Sequence, residues 1–146
     1  MKRLSLFIYF FLITVLQAAA QQSFDKTAVK SVMKRVADWQ IANPNKGAEH
    51  DDLDWTHAAL YMGMLDWAEL TEKEDSDDSY YQWLLRIGQR NHFQIGKWMY
   101  HADFIAVGQP FIDLYLKYGN KKMIAPVMAR ANWVVENPAE TTLELD

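Results

Sequence analysis

Hydrophobic side chains recur three or four positions apart along most of the chain, which is the spacing of one helix face. Alternation of apolar and polar residues does not persist anywhere long enough to indicate a strand. Pro110 lies inside the fourth apolar segment, where a proline should either bend a helix or mark a later start. The pattern predicts helices over 25–41, 53–71, 79–91, 101–118 and 121–136.

The predicted helices also repeat as pairs. Asp54 and Asp103 each follow a polar loop and open a helix–turn–helix segment, and the two segments align at a spacing of about 50 residues. Helical hairpins repeated at this period are typical of a solenoid or a closed toroid. The longer connectors, 44–52 and 91–100, both lead into the first helix of a pair, so we expect both aspartates at one rim. One leading helix and two hairpins do not close a ring, and we therefore expect only the first few helices of a toroid here.

The first 20 residues have a different character from the rest. Lys2 and Arg3 precede an uncharged apolar run over 4–16, and small residues follow at 18–20, as in a secretory signal peptide. The apolar run is shorter than the roughly 20 residues that span a bilayer. We therefore expect a cleaved signal over 1–20, a mature domain over 21–146 without a stable membrane span, and export to the periplasm or the extracellular space.

Composition excludes several classes of function. Half of the 146 residues are apolar, which suffices for one packed core. The net charge is −4 with no Lys/Arg-rich run, so we expect no nucleic-acid partner. There is no cysteine, no Gly-x-Ser-x-Gly and no glycine-rich phosphate loop. We expect no metal and no cofactor, because no familiar zinc spacing joins the four histidines, His50, His57, His92 and His101.

Carboxylates beside aromatic residues remain as the candidate chemistry. The chain holds 6 Trp, 7 Tyr and 7 Phe; Asp54 precedes Trp55, and Asp103 precedes Phe104. A carboxylic acid in an apolar pocket keeps its proton to higher pH and can act as a general acid. An aspartate at a helix start can instead cap the helix, which leaves two readings open for each aspartate. Trp98, on the connector, is either a packing residue or a sugar platform.

Three stretches resemble a known enzyme family in both order and spacing. They are DWTHAALYMGM at 54–64, YYQW at 80–83 and HADFIAVGQPF at 101–111. They look like the early helices of glycoside hydrolase families 88 and 105, the unsaturated glucuronyl and rhamnogalacturonyl hydrolases, and the resemblance covers about 31–137. It implies an all-α fold, the (α/α)6 toroid of the six-hairpin type, with only its first few helices in this chain.

The resemblance also implies a reaction. Enzymes of these families remove a 4,5-unsaturated uronic acid from the non-reducing end of oligosaccharides left by polysaccharide lyases. An aspartic acid protonates the C4=C5 vinyl ether, water adds at C5, and the hemiketal opens to release the sugar. This differs from the paired-carboxylate mechanism of most glycosidases. The expected partner is therefore an unsaturated uronyl oligosaccharide, with glucuronyl and galacturonyl forms both open.

The resemblance assigns site residues by their match to the family pattern. Asp103 corresponds to the first of two important active-site aspartates and is the expected catalytic residue. Trp55 matches an aromatic pocket residue and His101 lies beside the matched aspartate, while Asp54 and Trp98 complete the expected substrate-binding set. The principal proton donor of the family is expected on a later helix beyond residue 146, so we expect an incomplete site in this chain alone.

Two alternatives stay open at this stage. One is another α/α-toroid sugar enzyme, such as an epimerase or a mannanase, and the other is a non-catalytic helical-repeat protein that binds or scaffolds. An enzyme predicts that Asp103, His101 and Trp55 converge on one acidic pocket. A scaffold predicts scattered rim carboxylates along an exposed groove.

Overall fold

The computed structural model describes residues 25–44 and 51–139, which form helices joined by loops, with no strand in either range. The all-α prediction is confirmed. The predicted signal peptide lies outside the described residues. None of the helices within these two ranges combines the length and apolar character needed to cross a bilayer. In chain order the helices are α1 (Lys26–Ala42), α2 (Trp55–Asp75), α3 (Ser79–Arg90), α4 (Ala102–Ala106), α5 (Gly108–Tyr118) and α6 (Ala125–Glu136).

The chain divides into two compact units, Met1–Ala42 and Asn43–Asp146. The described part of the first unit is essentially α1. The Asp25 carboxylate accepts a hydrogen bond from the backbone N–H of Ala28 at 3.0 Å, as a capping residue does. Only Ala37 is buried. An apolar stripe at helical spacing is exposed along α1: Val29, Val32, Met33, Val36 and Trp39.

The core of the second unit forms around α2. This helix packs against α3, α4 and α5, and its buried positions cover more than one of its faces. Aromatic rings meet edge-to-face between α2 and α3, with Trp67 and Tyr80 at 5.8 Å and Tyr61 and Trp83 at 5.9 Å between centroids. Because α2 is enclosed in this way, the two ends of this helix have fixed positions in the second unit.

The fourth predicted helix is two helices. α4 ends at Ala106, Val107 is fully buried, and α5 begins at Gly108. Pro110 lies in the first turn of α5, where a missing N–H costs no intrahelical hydrogen bond. The proline therefore marks a later start rather than a bend. The fifth predicted helix also starts later, because a 3₁₀ turn over Lys121–Met123 precedes α6.

An ion pair fixes the loop that leads into α2. The Nε and Nη2 atoms of Arg90, at the end of α3, each donate to a different Asp52 carboxylate oxygen at 2.7 Å, and Asn91 Nδ2 donates at 2.8 Å. Burial by itself raises the pKa of Asp52, but the hydrogen bonds from Arg90 and Asn91 and the charge of Arg90 together lower it below its ordinary value. The loop before α2 is thus held to the α2–α3 hairpin.

Two leucines of α5 test the core. Leu114 is 1% exposed and Leu116 is 72% exposed, although they lie two residues apart. We expect Leu114→Ala to lower the free energy of unfolding by about 3 kcal/mol, because it leaves a cavity in a packed interior. The matched control, Leu116→Ala, should change it by no more than about 0.5 kcal/mol. Urea denaturation monitored by circular dichroism measures both, and equal losses would contradict this description of the core.

The Asp52 carboxylate should make stability depend on pH. Its pKa is lowered on folding, so its contribution is present above the unfolded-state pKa of about 3.9 and is lost as the pH falls through the folded-state value. We expect Asp52→Asn to lower the free energy of unfolding by about 1 kcal/mol at pH 7. The difference from the unchanged protein should shrink below about pH 4.

Asp66→Asn is the control for this prediction, since Asp66 is an exposed residue of the same helix–hairpin unit. Urea denaturation at pH 7 and at pH 3 gives the comparison. A loss for Asp52→Asn that is the same at both pH values would show that the charge of Asp52 is not what holds the loop.

Candidate functional site

The start of α2 holds two of the predicted site residues. Asp54 is the residue that caps α2, and its carboxylate accepts a hydrogen bond from the backbone N–H of Trp55 at 2.7 Å. Of the two readings open for Asp54, the capping one is therefore observed. The Trp55 side chain is half exposed, and it takes part in none of the ring contacts formed within 51–139.

Two polar aromatic residues, His57 and Tyr61, lie one turn apart near the start of α2. The His57 ring lies 5.8 Å from the Tyr61 ring, and His57 Nδ1 is buried without a hydrogen-bond partner among the described residues. Burial, followed by the negative charge of Asp52, raises the pKa of Tyr61 and keeps its hydroxyl protonated. Because Tyr61 is only 2% exposed, its hydroxyl belongs to the packing beside Asp52 and is not presented to a ligand.

The connector 91–101 is held at several points. Gly96 N–H donates to the Phe104 carbonyl at 2.7 Å, and a Cβ on Gly96 would lie 2.0 Å from the Phe104 ring, so a side chain here would displace the ring. From α6, Arg130 donates to the carbonyls of Gly96 and Trp98, both at 2.6 Å. The Tyr100 hydroxyl donates to the Asn137 carbonyl. Contacts from α4, from α6 and from the residue that follows α6 thus fix the connector.

Three rings form a cluster at the end of this connector. Trp98 lies 5.2 Å from His101 and 5.2 Å from Phe104, and His101 lies 5.1 Å from Phe104. We call these three residues the aromatic cluster. The Trp98 side chain is 55% exposed and His101 is also exposed, whereas Phe104 is half-buried. The cluster is thus anchored by Phe104 and presents an indole and an imidazole at the surface.

Asp103 lies in the first turn of α4, between His101 and Phe104 of the aromatic cluster in sequence. The residue at the cap position of α4 is His101, so Asp103 is not the capping residue. Its side chain is exposed and makes no hydrogen bond or ion pair to another described residue. The carboxylate is therefore accessible to a ligand, and the enclosing apolar wall considered for it is not formed by the described residues.

The structure brings some of the predicted site residues together. Trp98 and His101 are in ring contact, and Asp103 follows His101 by two residues in the first turn of α4. α4 packs against α2, the helix that carries Trp55. Sequence reasoning missed Arg130, which holds the connector, and Lys97, whose Nζ lies 5.8 Å from the centre of the Trp98 ring. Arg130 stands out as a charged residue in a largely apolar helix, but the sequence does not indicate which groups it contacts.

A separate cleft of about 280 Å³ lies farther along α2. Its lining includes carboxylates and also Lys117. The Lys117 Nζ atom lies 2.5 Å from a carboxylate oxygen of Glu72 and 4.1 Å from the centre of the Tyr81 ring. Across 25–44 and 51–139, no group of three or more histidine or carboxylate side chains is arranged to hold a metal ion. The lining residues are Leu65, Asp66, Glu69, Tyr81, Asp113, Leu116 and Lys117.

Comparison with known proteins identifies the family. The family model described as Glycosyl Hydrolase Family 88 matches residues 14–143. Neither the curated proteins nor the solved structures that were searched include a match to the chain. The helical hairpins and the absence of strands in 51–139 agree with part of the α/α toroid of that family. Because the match extends over most of the sequence, the chain belongs to Glycosyl Hydrolase Family 88.

Proposed function

We propose that the chain is the front part of a hydrolase that removes a 4,5-unsaturated uronic acid from the non-reducing end of an oligosaccharide. The family match supports action on a glycoside. The observation that carries the proposal is the exposed carboxylate of Asp103 in the first turn of α4, two residues after His101 of the aromatic cluster. A flat indole packs well against the apolar face of a pyranose, and a carboxylate beside it can act on the same ring.

The proposed reaction is hydration of a vinyl ether. A proton adds to C4 of the unsaturated ring, and the positive charge that develops is shared by C5 and the ring oxygen. Water adds at C5 and loses a proton to give a hemiketal. The bond between C5 and the ring oxygen then breaks, which leaves a ketone at C5 and a hemiacetal at C1, and collapse of this hemiacetal to an aldehyde releases the linked sugar. The Asp103 carboxylate stabilises the cationic transition state and orients the attacking water. We expect the group that protonates C4 on a helix outside 51–139.

The remaining site residues bind and position the sugar in this proposal. Trp98 stacks on the ring, and His101 donates a hydrogen bond to a hydroxyl or to the carboxylate. Trp55, half exposed at the start of α2, forms a second wall, and the cap that Asp54 makes fixes where this wall stands. A signal over 1–20 would carry the enzyme to the periplasm or the extracellular space, where fragments from polysaccharide lyases arise.

The role of Asp103 can be tested by activity. Using the full-length product of the gene, we would mix protein with an unsaturated uronyl disaccharide and follow the loss of ultraviolet absorbance from the C4=C5 bond. We expect Asp103→Asn to lower kcat/KM by about 100- to 10,000-fold, the usual range for a group that acts in proton transfer or charge stabilisation.

Asp113→Asn is the matched control, because this carboxylate lines the separate cleft along α2 and should leave the rate within about threefold of the unchanged protein. A folded full-length protein that consumes no unsaturated uronide would remove the hydrolase proposal. It would favour the alternative of a non-catalytic helical protein that binds sugar at its rim.

A further inference from the structure

We propose that Lys97 and Trp98 form a subsite that selects a carboxylate-bearing sugar ring, with the indole stacked on the pyranose and the Lys97 ammonium paired with its carboxylate. The inference deepens the proposed function and rests on it for the class of ligand. It concerns the recognition of charge, which the reaction by itself does not require.

The position of Lys97 carries the inference. Its Nζ lies 5.8 Å from the centre of the Trp98 ring, within the range of a cation–π interaction. Lys97 is exposed, and it forms no ion pair with any residue of the described ranges. No carboxylate of the described ranges therefore competes with a ligand for the Lys97 ammonium beside the exposed indole.

The backbone beneath this pair is fixed in advance. Arg130 holds the carbonyl oxygens on either side of Lys97, those of Gly96 and Trp98, with Nη2 and Nη1 at 2.6 Å each. A third contact reaches the Met99 carbonyl at 3.5 Å. Because the guanidinium ties down the peptide units that carry both side chains, little backbone entropy is lost when a ligand binds.

The geometry suits a uronate better than a neutral sugar. A stacked pyranose places the substituent at C5 at the edge of the indole. The long Lys97 side chain, whose Nζ lies 5.8 Å from the centre of that ring, can reach the same edge when the sugar covers the ring face. In a uronic acid this substituent is a carboxylate, which gives a charge-assisted hydrogen bond with an ammonium. In a neutral hexose it is a hydroxymethyl group, which gains much less from the charge.

Binding of two matched ligands tests the subsite. The probes are methyl β-D-glucuronide and its methyl ester, which differ in the charge at C5 and not in the ring. The readout is the NMR shift of the Trp98 indole N–H, assigned by its disappearance in Trp98→Phe. We expect the glucuronide to shift this signal at lower concentration than the ester does, and added salt to reduce the difference.

Substitutions then isolate Lys97. We expect Lys97→Gln to raise the Kd for the glucuronide about fivefold, the effect of one exposed charge pair, and to leave the Kd for the ester unchanged. Lys97→Arg should keep most of the preference. Lys121→Gln, at an exposed lysine of the 3₁₀ turn, is the control and should change neither value.

Three results would each overturn the inference. The acid and the ester could bind with equal affinity, Lys97→Gln and Lys121→Gln could have equal effects, or the Trp98 signal could fail to shift. These outcomes are separable from failure of the proposed function, because neither probe has a C4=C5 bond to hydrate. Binding that depends on Lys97, without turnover of an unsaturated uronide, would support the subsite and contradict the proposed hydrolase. Turnover without binding that depends on Lys97 would support the hydrolase and contradict the subsite.

Discussion

The packing of α2 against three other helices is the constraint on which the second unit depends. Packed against α3, α4 and α5, this helix buries Tyr61 and Trp67 on different parts of its circumference. The apolar side of α2 has to be covered, and its hairpin partner α3 and α5 provide that cover. Once α2 is fixed, Trp55 at its start and α4 against its side have defined positions. The rim of the candidate site is therefore a consequence of core packing.

The connector before α4 meets a different requirement. Burial of an exposed aromatic ring such as that of Trp98 is favourable, so a flexible loop that carried the ring would tend to fold it inward. Arg130 opposes this by binding the carbonyl groups of the loop, and Gly96 allows the Phe104 ring to fill the space beneath it. The guanidinium is satisfied by backbone dipoles and not by a carboxylate. The connector thus gains rigidity without an added negative charge beside Trp98.

The sequence predicted most of the helices, because apolar spacing reflects burial directly; the boundaries of α1 and α3 are within one residue of those expected. It left open whether Pro110 bends a helix or starts one, and the break at the buried Val107 answers this through tertiary packing. The ties from Asp52 to Arg90 and from Arg130 to the connector were not predictable. Each joins positions more than 30 residues apart, and no local pattern encodes which polar groups will meet.

Asp54 and Asp103 show why similar sequence contexts lead to different roles. Each precedes an aromatic residue near a helix start, and each was open to both a capping and a catalytic reading. In the structure the Asp54 carboxylate binds the backbone of its own helix, whereas the cap position of α4 is occupied by His101 and Asp103 falls inside the first turn. A capping oxygen is already engaged by an N–H group and would have to give up that hydrogen bond to contact a ligand. Asp103 faces no such cost, because it lies two residues after the cap position of α4, and its carboxylate stays available to a sugar.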